Sequence, residues 1–124
     1  MSQPDAPAAQ TALDPEDAKL VTLARSARAR LARPEGAAVR DGDGRTYLAA
    51  TVELPSLRLS ALQAAVAAAV SSGAATLEAA VVVGEAHEPS TTDLAAVADL
   101  AGADCPVILA DARGRVVRSV RAGA

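Results

Sequence analysis

The chain has 124 residues, 51% of them hydrophobic, with a net charge of −3 and an isoelectric point near 5.0. That is one domain with enough apolar material for a single core, and Tyr47 is its one aromatic residue, so the stacking platforms of a nucleic-acid binder are missing. No apolar run is long enough to cross a bilayer and no basic-then-apolar leader opens the chain. A single Cys excludes an intramolecular disulfide and fits a cytoplasmic location.

Residues 1–12 are rich in Ala, Pro, Gln and Ser without periodicity, and are expected to be a disordered tail. From Leu13 a helix should begin: Asp14 can cap it, Pro15 suits its first position, and Glu16 and Asp17 favour its positive end. Leu20, Leu23, Ala24, Ala27 and Leu31 then recur at three and four, giving one apolar face. Arg25, Arg28, Arg30 and Arg33 lie mostly off that face and read as a solvated basic surface near the helix end. Pro34 stops the helix.

Gly36 to Arg40 and Arg45 to Val52 read as two strands joined by a tight turn at Asp41-Gly42-Asp43-Gly44. No helix follows these glycines, so a phosphate-binding loop is not expected. A short loop leads to a helix whose apolar positions are Leu59, Leu62, Val66, Ala69 and Val70 and whose other faces are mostly Ala. Ser60 and Gln63 match a capping box, and Gly73 is placed to end the helix. Leu77 to Val83 is an apolar, β-branched run typical of a buried strand. After a loop, Ser90, Thr91 or Thr92 can cap a helix to about Ala101, stopped by Gly102. Pro106 to Ala110 and Arg115 to Val120 read as the last two strands, with a turn at Asp111 to Gly114. The order α, β, β, α, β, α, β, β implies an α/β fold, a mixed five-stranded sheet covered by helices on both faces. The expected organisation is a tail over 1–12, the domain over 13–120 and a short C-terminal tail over 121–124.

Several of these segments carry a pattern of their own: Gly36-Ala37-Ala38-Val39, Asp43-Gly44-Arg45-Thr46-Tyr47, Thr51-Val52-Glu53, Ala69-Val70-Ser71-Ser72-Gly73, and Pro106-Val107-Ile108-Leu109-Ala110-Asp111. In this order the chain resembles the small cytidine deaminases, whose corresponding segments read VGAA, DGxxY, N-[IV]-E, AVSEG and PVILAD. The resemblance implies a three-layer α-β-α sandwich and a homo-oligomer or a protein partner. It also implies a zinc ion held by a [CH]-A-E motif and a P-C-x-x-C motif at two helix starts. There the metal activates water, and the motif's Glu moves protons during deamination.

Those motifs are not in this sequence. The first falls at Ser60-Ala61-Leu62, and no Cys, His, Asp or Glu occurs between Leu54 and Leu77. The second falls at Ser90-Thr91-Thr92-Asp93-Leu94, without Cys. A catalytic zinc keeps about three protein ligands, whereas the whole chain has one His and one Cys. No metal or cofactor and no catalytic residue is therefore expected, a mixed site of His87, Asp93 and a further carboxylate being the alternative.

Glu53 matches the family carboxylate that binds ribose, and Thr51 stands where the family has its Asn. Thr51 and Glu53 are the candidate ligand-binding residues, with a nucleoside as ligand; the other reading of Glu53 is a solvated strand end. His87 reads as an exposed loop residue, Cys105 as a small buried hydrophobe and Ser60 as a cap. The function expected is that of a cytidine deaminase-like protein without zinc or activity, acting as a structural, regulatory or oligomerising subunit. The alternatives are a nucleoside-binding module and a deaminase with an unconventional site.

Overall fold

The computed structural model of the protein describes residues 13–123, so the tail expected over residues 1–12 lies outside the described part. Helix α1 (Pro15–Leu31) starts where its residues require: Asp14 accepts the Glu16 N–H at 2.7 Å, and Pro15 sits in the first turn. Its packed face is Leu20, Val21, Ala24 and Ala27. Leu31, expected on that face, is 52% exposed, because the helix ends there and Ala32 turns the chain away at φ 51°.

Strands β1 (Gly36–Asp41) and β2 (Thr46–Ala50) pair antiparallel. Asp41 organises their turn. One of its carboxylate oxygens accepts the N–H groups of Asp43 and Arg45, and the other accepts the Tyr47 hydroxyl at 2.7 Å. Although it opens a polar turn, Asp41 is only 2% exposed. Next to it, Arg40 reaches Asp17 at 3.0 Å and Glu78 at 2.9 Å, fastening α1 to the sheet.

The second strand does not run to Val52 as the sequence suggests. At Thr51 the pairing changes: its N–H donates to the Glu35 carbonyl at 3.2 Å, in register with the rungs before it, but the Glu35 N–H turns to the Thr51 hydroxyl at 3.2 Å. The residues beyond form their own hairpin of β3 (Val52–Leu54) and β4 (Leu57–Leu59), turning at Pro55 and Ser56, where a loop was expected; Leu59, expected on the face of the next helix, ends β4 instead. Proline sets the φ that such a turn needs.

Helix α2 (Ala61–Ser71) opens with the expected capping box of Ser60 and Gln63. Its C-cap residue is Ser72, and Gly73 takes the following position at φ 97°. Strand β5 (Leu77–Val83), helix α3 (Thr91–Ala101, capped by Ser90), β6 (Pro106–Ala110) and β7 (Val116–Arg121) complete the chain. The ordered structure passes the boundary expected at residue 120: the Ala122 N–H donates to the Cys105 carbonyl at 2.9 Å, and Ala122 is buried.

The five main strands lie in the order β2-β1-β5-β6-β7, with β5 and β6 parallel and the other pairs antiparallel. Alternation along each strand divides the core in two. Ala37, Val39, Ala80, Val82, Val107 and Leu109 face α2 and α3. Ala38, Ala79, Val81, Val83, Ile108 and Ala110 face α1. This is the expected three-layer α-β-α sandwich. No helix among the described residues is long and apolar enough to cross a membrane.

Candidate functional site

The topology gathers the chemistry-bearing residues at one end of the sheet. Gly36, which opens β1, pairs with Ala50 at the end of β2 and with Val83 at the end of β5. Glu35, Thr51 and the start of the β5–α3 loop therefore meet there. Helices α2 and α3 begin at the same end, since a hydrogen bond joins their opening turns: the Ser60 hydroxyl donates to Asp93 Oδ1 at 2.5 Å.

Ser60 is fully engaged. Its Oγ also accepts the Gln63 N–H at 3.0 Å, and its own N–H donates to Gln63 Oε1 at 2.9 Å. Ser90 does the same for α3, its Oγ accepting the Asp93 N–H at 3.2 Å and sharing a 2.7 Å hydrogen bond with the Thr92 hydroxyl. Asp93 is 4% exposed; burial raises its carboxyl above the ordinary value, and the Ser60 hydroxyl works against that rise. Glu35 is half-buried beside it. Its carboxyl is raised by burial and by the Asp93 charge, while the Ala61 N–H, which donates to it, lowers it. Glu35 thus supplies the carboxylate that a helix N-terminus favours.

Beside this cluster opens a cavity of about 650 Å³ lined by Arg28, Glu35, Thr51, Glu53, Arg58, Ser60 and Glu85, among others. Both sequence candidates line it. They are not equivalent: the Thr51 hydroxyl also donates to the Glu35 carbonyl at 3.4 Å, so it serves the main chain, whereas Glu53 is exposed on β3 opposite Arg58 of β4.

The remaining candidates lie elsewhere. His87 is exposed and lines a separate cavity of about 410 Å³ with Asp111 and Arg113. Cys105 is buried in the core beneath α2 and α3, and burial pushes its thiol up to about 11. His87 follows the end of β5 whereas Cys105 precedes the start of β6, and these strands are parallel. The two residues therefore stand at opposite ends of the sheet. The mixed site of His87, Asp93 and another carboxylate does not form: among the described residues no three His, Cys, Asp or Glu side chains come together to hold a metal.

Sequence reasoning missed Glu35 altogether and placed Asp93 only in a motif or a mixed metal site. Asp93 left a local signal, an acid three residues after Ser90. Glu35 left none, because its partners Ala61 and Thr51 are distant in sequence.

A three-layer sandwich whose second and third helices start against one another at a strand-end cavity defines a nucleoside deaminase-like class of domain. A family model for cytidine deaminase-like domains matches residues 13–114, and the chain belongs to that family. Among solved structures, the cytidine deaminase of Burkholderia pseudomallei is similar at 27% identity and a TM-score of 0.75, over 85% of this chain and 91% of that one. The cytidine deaminase of Mycobacterium tuberculosis is similar at 26% identity and a TM-score of 0.69, over 89% of this chain and 93% of that one. The fold extends to the cytidine deaminase of Bacillus anthracis at 14% identity and a TM-score of 0.64, over 88% of this chain and 84% of that one. No curated protein sequence matches the chain.

The family resemblance implies zinc, and the residues at the two helix starts do not fit it. Ser60 and Ser90 are neutral hydroxyls already hydrogen-bonded within the chain, and the carboxyls beside them are those of Asp93 and Glu35, without a sulfur or imidazole donor. Zinc sites of this geometry need deprotonated sulfur, imidazole or carboxylate donors in threes or fours.

Proposed function

We propose that this chain is a metal-free, non-deaminating member of the cytidine deaminase-like family that works as a structural or regulatory subunit, by assembling with itself or with a partner protein. The observation that supports this reading most is the Ser60–Asp93 hydrogen bond. It joins the starts of α2 and α3 with groups that cannot replace thiolates or a proton-shuttling Glu, and Leu62 stands where that Glu would be. The half-exposed Leu54 and Leu57, paired on the β3–β4 hairpin, give an assembling surface apolar material. Metal analysis of the purified protein tests the reading. Less than about 0.1 zinc per chain, together with no absorbance change of cytidine over hours, is the expected result. Near-stoichiometric zinc overturns it, because a bound structural or catalytic ion needs a full donor set.

A second reading, nucleoside binding, is favoured by the cavity that holds Glu53. A ligand that binds only the folded state raises the melting temperature. Under this reading cytidine raises the Tm of the native chain and not that of Glu53→Gln; no shift in either protein removes it.

A further inference from the structure

The starts of α2 and α3 and the segment before β1 meet at one end of the sheet. We infer that Ser60, Asp93 and Glu35 form a self-contained hydrogen-bonded plug that holds these three segments together in place of a metal. This rests on the reading above that the chain carries no zinc.

Three orphan donors of the α2 start, the N–H groups of Ser60, Ala61 and Gln63, have acceptors within the chain. The Ala61 N–H goes to the Glu35 carboxylate, the Gln63 N–H to Ser60 Oγ at 3.0 Å, and the Ser60 N–H to Gln63 Oε1 at 2.9 Å. The Ser60 proton is used as well, on Asp93 at 2.5 Å across to α3. One hydroxyl thereby caps its own helix and ties it to another. Asp93 sits in the first turn of α3, where the helix dipole favours its charge, and the α2 start adds a second positive end beside it. Helix α2 has no ionisable side chain, β5 has Glu78 alone, and Glu78 is engaged by Arg40. The Asp93 charge is felt in turn at Glu35.

Glu35 also connects the plug to the cavity wall. Its main chain makes two hydrogen bonds with Thr51 just beyond the end of β2, and from Thr51 the chain enters the β3–β4 hairpin. The plug and the hairpin therefore share one anchor, and the deaminase-like end is built as a packing junction whose strength does not depend on a divalent ion.

The test is a double-mutant cycle on the full chain, after dialysis against chelator. Ser60→Ala and Asp93→Ala should each lower Tm by roughly 3–6 °C, and the double variant should fall little further than the weaker single variant, as shared interactions require. Glu35→Ala should speed amide exchange at Ala61. Ten equivalents of zinc should leave the native Tm unchanged. Fully additive losses overturn the plug even in a zinc-free protein, and a zinc-induced rise in Tm overturns it from the other side. The metal content of the protein as purified separately decides the reading on which the plug rests. If an alanine variant does not fold, Ser60→Gly and Asp93→Asn replace it. Amide exchange is then read at Gln63 and Asp93. Exchange that rises at both amides in either single variant supports the plug; a rise confined to the substituted helix refutes it.

Discussion

Gly36→Ala puts the packing that carries Glu35 to a direct test. A Cβ built at Gly36 would lie 2.1 Å from the Ala24 carbonyl oxygen, 2.7 Å from the Arg28 nitrogen and 2.8 Å from the Arg28 Cβ. Two of these three atoms are main chain of α1, so no side-chain rotation relieves the overlap. The helix must retreat by about 1 Å, and a gap of that size forfeits roughly a quarter to a half of the dispersion energy across it. The face that would lose contact is Leu20, Val21 and Ala24, buried against β1, β5 and β6. Overpacking of this kind costs about 1–3 kcal/mol before such losses are added, so a total of at least ~3 kcal/mol is expected. For a domain of this size that is a fall in Tm of roughly 12 °C. Gly73→Ala is the control. Gly73 has φ 97° with nothing near its absent Cβ, so alanine there should cost only about 1–2 kcal/mol of backbone strain. Urea or thermal unfolding followed by circular dichroism measures both. If Gly36→Ala unfolds no earlier than Gly73→Ala, the close approach of α1 to the sheet is not as described.

Two carboxyls, the buried Asp93 and the half-buried Glu35, set a pH dependence. Burial raises Asp93, and burial with the Asp93 charge raises Glu35. The folded state then holds these protons more tightly than the unfolded chain, so stability rises as pH falls through the raised values and levels off below the ordinary carboxylate range. Asp41 acts with the opposite sign: the Tyr47 hydroxyl foremost holds its carboxyl low, so its contribution is present above the ordinary carboxylate value and is lost as pH falls through the lowered one. Thermal melts across about pH 4 to 8 should therefore show an optimum on the mildly acidic side, and Asp93→Asn should flatten the neutral limb; an unchanged slope in that variant would contradict the assignment. Cys105, buried with its thiol pushed up to about 11, should resist thiol reagents in the native protein at neutral pH and react once unfolded. Complete labelling within minutes without denaturant would place it at the surface.

The elements themselves were largely legible because their signals are local. Asp14, Ser60 and Ser90 cap their helices through donors two or three residues away, and the apolar run Leu77 to Val83 can satisfy itself only as a strand buried on both faces. The β3–β4 hairpin was not legible. Thr51 and Val52 are β-branched and read as more of β2, and what ends that strand is the Glu35 N–H, met across the sheet, turning to the Thr51 hydroxyl. Leu31 and Val70 were misplaced for a related reason: helical period assigns a residue to a face, and the neighbouring layer decides how far along the helix that face is covered.

For the site the division is sharper. Composition alone determined that sulfur and imidazole donors are too few for a family-type zinc centre, since counting residues needs no coordinates. That Asp93, 33 residues from Ser60, meets it and accepts its hydrogen bond, and that the Glu35 carboxyl stands at the start of α2, was decided by the tertiary structure. The strand order brings the N-terminal end of β1 beside the ends of β2 and β5, and only that juxtaposition converts three separate local caps into one shared network.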